Sequence, residues 1–344
     1  MRKLLSLFVI FTIPILFFLS LVLIYNYCLD PYGVIKGDMT SQITEPNQHY
    51  LKVKYCIDYP KKHNAFLFGS SSVGKINISN FTDSNNWYNF SYSESVPKET
   101  LEDLKILLKN NVKVERILIG LNEVSYMVNP KLHDNQSLRK PYVNIINPYL
   151  YYLFLKPSPS LYKSIKKAKK SIFYQEKSFE VIYTNGSFTR NKKDTYIDEN
   201  SIFHLSEPVF DKPYWNNYYE NRIEETINDI KAINELCEIN NIEVTYFLNP
   251  IYDLTYRKAL SNGFLEFWNE LSKVTSFYDF TGINKMTSNR LNFYENSHYR
   301  PKVGDYILSE ISSNSPKHQV NKNNSIQLYQ LKVDEAQLNN ILID

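Results

Sequence analysis

Residues 4–24 (LLSLFVIFTIPILFFLSLVLI) run for 21 positions without a charge, and no other stretch limits the fold so strongly. As a helix this run extends about 32 Å at ~1.5 Å per residue, enough for a hydrocarbon core of roughly 30 Å. Arg2 and Lys3 precede it, so the start is expected to stay in the cytoplasm and the remainder to cross. A cleaved signal is the competing reading. The apolar run is longer than a signal h-region, however, and no small-x-small cleavage site follows. Tyr27 before Cys28 lacks the small residue of a lipoprotein signal. The expectation is an uncleaved single-pass anchor over 1–27, bent at Pro14, with an extracytoplasmic body that is periplasmic or cell-surface.

The 344 residues as a whole have 43% apolar content, with 28 Tyr and 20 Phe, ample for a core. A net charge of +3 from 39 basic and 36 acidic residues is too balanced to point to nucleic acid, and no nucleic-acid motif occurs. The three cysteines, Cys28, Cys56 and Cys237, give neither a disulfide framework nor metal-ligand spacing. No function is placed on them. Glycine is scarce, at nine, which makes Gly69 and Gly120 informative.

The chain in order reads as follows. Residues 28–60 look like an extended juxtamembrane segment. Ala65-Phe66-Leu67-Phe68 is a buried strand stopped by Gly69 and the serines 70–72. Trp87–Phe90 is a second short strand. A helix begins near Pro97, with Glu99 and Glu102 at its positive end and Leu101, Leu104, Leu107 and Leu108 as its stripe. Arg116–Gly120 is a third strand. The region 130–215 is irregular and reads as an insertion over the sheet. Within it, Ser158–Phe173 is expected to be helical, its lysines forming a solvated face. The α/β rhythm resumes with a helix in Tyr214–Asn240, a strand at Glu243–Leu248, a helix at Tyr256–Lys273, a strand at Ser276–Phe280 and a closing helix at Lys302–Ser312. Residues 314–344 read as a weakly packed polar tail. The fold class expected for 61–313 is α/β, a parallel sheet with helices on both faces.

Ligands of such sheets sit beyond the carboxyl ends of the strands, where Ser70, Ser71 and Ser72 fall. Serine clusters are usually loops. A second stretch, Glu295-Asn296-Ser297-His298, changes the balance, because a serine after the first strand with a late carboxylate and histidine is the order of an acyl-transfer triad. Ser71 is the candidate nucleophile, with Ser70 as the alternative. His298 is the base and Glu295 its orienting carboxylate, a spacing of three placing the two on one side of a helical turn. Taken singly, His298 also reads as a surface histidine and Glu295 as a helix cap. Asn122 follows a glycine, as loop asparagines often do. Tyr252 and Asp253 follow the fourth strand and are equally explained by turn preference.

These blocks resemble the SGNH (GDSL-like) hydrolase superfamily over roughly residues 60–310, most closely its membrane-anchored, extracytoplasmic bacterial branch. That branch includes DltD-like proteins and acetyltransferase-like proteins of exopolysaccharide export. The match rests on Phe68-Gly69-Ser70-Ser71, Gly120-Leu121-Asn122-Glu123 and Glu295-x-x-His298-Tyr299. The resemblance implies a flavodoxin-like sheet and a Ser71–His298–Glu295 triad. It also implies an oxyanion hole from Asn122 and the Ser71 amide. Three positions depart from the pattern. Ser70 stands where the GDS form has aspartate, as in the anchored branch. Glutamate replaces the usual final aspartate. Ser91 occupies the position of the second-block glycine, its backbone amide the candidate third donor.

The function these readings imply is a serine esterase or O-acyltransferase acting on a cell-envelope polysaccharide or small ester, without metal or organic cofactor. The alternatives are a catalytically inactive binding or scaffolding protein of an envelope assembly machine, or a DltD-like partner of a membrane acyltransferase.

Overall fold

A computed structural model describes residues 2–30, 33–35, 46–81, 83–136, 138–142, 147–154, 181–182, 185–189 and 191–339. The helix expected at Ser158–Phe173 lies outside them. The chain divides into two units, 1–54 with 133–181, and 55–132 with 182–344.

In the first unit, α1 (Arg2–Leu29) is one continuous helix through Pro14. Its Phe8–Cys28 window has a mean hydropathy of 2.7 and is long and apolar enough to cross a membrane. The segment expected to be extended instead contains α2 (Gln48–Asp58). Its Tyr50, Leu51 and Val53 are buried together with His49 and Lys52, so no apolar periodicity marks the helix in the sequence.

The larger unit is α/β with a mostly parallel sheet. Its elements begin with β1 (Ala65–Gly69), β2 (Trp87–Asn89), α3 (Pro97–Lys109), β3 (Arg116–Leu121) and α4 (Glu123–Met127). Between α4 and the next element of this unit, α5 (Pro148–Leu153) belongs to the first unit, where Tyr152 packs with Val34, Tyr50 and Leu51. A short ribbon of β4 (Val181–Ile182) and β5 (Phe188–Thr189) precedes α6 (Asn191–Glu199) and α7 (Ser201–Leu205). Then come α8 (Ile223–Ile239), β6 (Glu243–Leu248), α9 (Asp253–Leu260), α10 (Phe264–Val274) and β7 (Phe277–Asp279). The chain closes with β8 (Phe293–Glu295), β9 (His298–Tyr299), α11 (Pro301–Ser312), β10 (Gln319–Val320) and α12 (Ser325–Leu338).

The sheet order is β10-β7-β6-β3-β1-β2, with β10 alone antiparallel. Gly69 pairs with Gly120 at the carboxyl ends of β1 and β3. Side chains alternate between the faces of each strand. Leu67, Leu118 and Phe247 pack in one cluster with Val303, Ile307, Leu308 and Ile311 of α11. On the opposite face, Tyr246 donates its hydroxyl to Asn234 of α8 at 2.8 Å. Every described residue of β1 is fully buried, the reason its apolar run shows no alternation.

Three boundaries differ from the sequence reading. The insertion is not one piece: 133–181 groups with the first unit, whereas 182–215 belongs with the sheet. The helix expected at Tyr256–Lys273 is two helices, broken at Ser261–Gly263. The polar tail is built into the unit. There β10 extends the sheet, the Tyr329 ring stacks on Trp268 at 5.9 Å, and Lys332 of α12 reaches Asp279 at 2.9 Å. Glu335 also accepts from the Ile283 N–H at 2.7 Å and Arg257 donates to Asn339 at 3.0 Å, so much of this packing is polar, which a hydrophobic pattern does not register. Ile326, Leu331 and Leu338 of α12 are exposed.

Candidate active site

The nucleophile turn leaves β1 at a point where two glycines meet. Gly69 has φ +144°, a region that side chains disfavour. A Cβ on Gly120 would lie 2.5 Å from Val73 Cγ2 and 2.6 Å from Phe247 Cζ. The bare backbone pair lets the turn 70–76 fold down onto the strand ends, closed by Val73 N–H to Ser70 O and Ile76 N–H to Val73 O, each 3.0 Å. Asn89, at the end of β2, donates its amide to Val73 O and Ile76 O at 3.2 Å each, fixing the same turn from the side.

The three serines are thereby separated. Ser70 is buried and accepts from Asn122 Nδ2 at 3.2 Å. Ser72 is buried and donates to Ser297 O at 3.1 Å. Ser71 is half-buried, and its Oγ lies 2.8 Å from His298 Nε2. The hydroxyl of the alternative nucleophile, Ser70, is thus engaged by Asn122, while Ser71 is the serine that meets the imidazole.

The candidate base and its carboxylate stand on a hairpin rather than a helical turn, contrary to the spacing argument. Glu295 ends β8, His298 begins β9, and the two are cross-strand partners. Directly opposed positions in an antiparallel pair bring side chains together as well as a helical turn does. His298 Nδ1 contacts Glu295 Oε1, with Ser297 Oγ 2.9 Å from the same nitrogen. With Nδ1 carrying its proton toward the carboxylate, Nε2 accepts the Ser71 hydroxyl. Both side chains of the pair are 18% exposed.

The hairpin is held from several sides. Tyr299 is fully buried and donates its hydroxyl to Asn249 Oδ1 at 2.8 Å, while Asn249 Nδ2 donates to Leu121 O at 3.0 Å. Residues β9, β6 and β3 are thus tied at their carboxyl ends. From α6, Lys193 Nζ donates to Tyr294 O at 3.0 Å and to Glu295 Oε2 at 3.3 Å. Arg300, its side chain 6% exposed, pairs with Asp194 and Asp198 at 2.8 Å each, and Asp194 also takes the Tyr294 hydroxyl. From the loop before α8, Lys212 O accepts from Asn296 Nδ2 at 2.9 Å. Buried His204 of α7 contacts the Phe293 carbonyl through Nε2 at 2.9 Å.

The candidate oxyanion donors divide. Asn122 stands at the end of β3, 4% exposed, one serine away from Ser71. Its Oδ1 is buried without a hydrogen-bond partner among the described residues. Ser91 is turned elsewhere. Its N–H and its hydroxyl both donate to Asn89 Oδ1, at 3.1 and 2.5 Å, so that amide is directed at a side chain rather than the crevice. The physical cause is an Asx turn after β2, in which a short carbonyl side chain captures the amide two residues on.

Beside Asn122, Glu123 is buried, and burial pushes its carboxyl up to about 7. Tyr252 and Asp253 are accounted for structurally: Tyr252 donates to Phe210 O at 3.0 Å, and Asp253 pairs with Arg257 at 2.6 Å. No group of three or more His, Cys, Asp or Glu side chains among the described residues is placed to hold a metal ion.

Asn89, Asn249, Lys193 and Arg300 escaped the sequence reading. Asn89 reads as one residue of a short strand and Asn249 as a residue just past one, and the cations had no sequence-local partner, since Lys193 lies 102 positions from Glu295. No protein-family model matches the chain, and no curated protein matches its sequence.

Proposed function

We propose that the chain is a membrane-anchored, extracytoplasmic serine esterase or O-acyltransferase of SGNH type, acting on acylated cell-envelope polysaccharide or related glycan. One observation carries the reading: Ser71 Oγ, His298 and Glu295, from opposite ends of the chain, form a continuous contact series at the sheet's rim. The parallel strands, numbered among themselves, run 2-1-3-4-5. That order supports the flavodoxin-like reading, under which the crevice lies between β1 and β3, the ends that carry Ser71 and Asn122. The apolar α1 supports single-span anchoring, with Arg2 and Lys3 on the cytoplasmic side.

In this mechanism Ser71 Oγ attacks the acyl carbonyl carbon while its proton passes to His298 Nε2. Glu295 holds the Nδ1 proton and stabilises the imidazolium. Asn122 Nδ2 and the Ser71 N–H steady the oxyanion. The C–O bond to the leaving alcohol breaks as His298 returns the proton to it. Water or a sugar hydroxyl then attacks acyl-Ser71, giving its proton to His298, which passes it back to Ser71. No metal or organic cofactor enters these steps.

The test is turnover of an aryl acetate by the full-length protein in detergent. Turnover that disappears in Ser71→Ala is expected, and equal turnover in the two proteins removes Ser71 from the role. The turned-away Ser91 amide favours a second reading, an inactive binding or scaffolding protein of envelope assembly. That reading expects a membrane partner to co-purify equally with Ser71→Ala. A DltD-like role is marked instead by an acyl-Ser71 adduct that forms only alongside a membrane acyltransferase.

A further inference from the structure

We propose that Lys193 is a positioning residue of the relay: its ammonium grips Glu295 through Oε2, presents Oε1 to the imidazole, and moderates the carboxylate's pull on the imidazolium. The inference rests on the functional reading above and adds a fourth member to it. Lys193 sits in the first turn of α6 and makes two contacts on the hairpin, one to the Tyr294 carbonyl and one to the carboxylate. The backbone contact fixes where the ammonium stands. The carboxylate contact fixes which oxygen remains for His298 Nδ1.

The charged surroundings single this lysine out. Asp194, next on α6, is engaged by Arg300 and the Tyr294 hydroxyl. Asp198 pairs with the same guanidinium. Lys302, on the first turn of α11, is lowered first by burial and then by the Arg300 charge, with Asp198 and Asp194 opposing. Facing the imidazole itself are the hydroxyls of Ser71 and Ser297 and the Glu295 carboxylate. Among the described residues Lys193 is joined directly to the candidate triad carboxylate by an ion pair at 3.3 Å.

A positive charge behind the carboxylate offsets part of the negative field that favours imidazolium. Without it, His298 would hold its proton to higher pH, and the carboxylate would be free to rotate. A lysine that merely fastened α6 to the hairpin would leave the protonation of His298 unaltered when replaced by another donor.

The experiment compares full-length wild type, Lys193→Gln, Lys193→Met and Lys193→Arg in detergent. It follows the His298 imidazole by ¹³C NMR against pH and, separately, the pH profile of fluorophosphonate labelling. Gln retains a donor for the Tyr294 carbonyl without the charge, and Arg retains the charge. The titration midpoint is expected to rise by about one pH unit in Gln and Met and to stay at the wild-type value in Arg. The acid limb of labelling is expected to move up with it. An unchanged or lowered midpoint in a folded Gln variant overturns the inference. The NMR titration decides the matter even where no protein labels, an outcome that overturns the functional reading instead.

Discussion

The two halves of the candidate site are built by different physics. On the nucleophile side, position follows from backbone: a buried parallel strand, a glycine pair, and a turn closed by main-chain hydrogen bonds and Asn89. On the acid–base side, a two-residue strand pairs with its neighbour, and charges arriving from α6 and from Arg300 hold the hairpin in place. Close packing tolerates almost no change in volume and is indifferent to salt. Ion pairs tolerate changes in shape, weaken with ionic strength, and fail when one charge is lost. The two sides should therefore break in different ways.

Among residues outside the relay itself, the largest expected effect is on the nucleophile side. Asn122→Ala removes a candidate oxyanion donor and should lower kcat in aryl acetate turnover about 10²-fold or more. The melting temperature of the same variant reports whether the Ser70 contact carries structure as well. Gly120→Ala should come next. Its methyl meets Val73 and Phe247 well inside contact distance, so destabilisation of about 3 kcal/mol is expected in denaturant unfolding, unaltered by salt.

Glu123→Gln sharpens the same side in the opposite direction. The buried carboxyl is raised to about 7 from an ordinary value near 4.5. Between those values the folded state binds the proton that the unfolded state releases, so stability declines as pH rises through this window. A neutral amide escapes that decline. Glu123→Gln should match wild type near pH 4 and exceed it by roughly 3 kcal/mol at pH 8, measured by chemical unfolding at both values.

Arg300→Met tests the hairpin side and is expected to have the smallest effect. The guanidinium is nearly buried but Asp198 is 67% exposed, so the loss should be about 1–2 kcal/mol. Thermal melts at low and high salt should show the gap between variant and wild type narrowing as ions screen the pairs. A salt-independent gap would place Arg300 with the close-packed half.

The same contrast explains what could be read from the sequence. β6 runs from Glu243 to Leu248 as its apolar pattern implies, and Gly69 and Gly120 announce the strand ends. These are local signals, in which a strand and its stop are neighbours in sequence. The part of the irregular stretch 130–215 that holds α6 gives no element signal in sequence, because Lys193, Asp194 and Asp198 meet their partners about 100 positions away. The tail misleads likewise: Lys332 is buried against Asp279, whose carboxyl burial alone would raise. Lys332, Thr281 and Trp268 instead hold it below the usual range. Ser91 illustrates a subtler loss. The sequence places it beside the crevice, but only the fold shows that Asn89, two residues earlier, takes its amide.

The central claim is that Ser71 is activated by His298. Full-length wild type and His298→Gln, treated with a fluorophosphonate in detergent and digested for mass spectrometry, test it directly. The account expects one phosphonyl adduct, on Ser71, forming about 10³-fold more slowly in His298→Gln. An adduct on Ser70, no adduct on the folded wild type, or equal rates in the two proteins would contradict it.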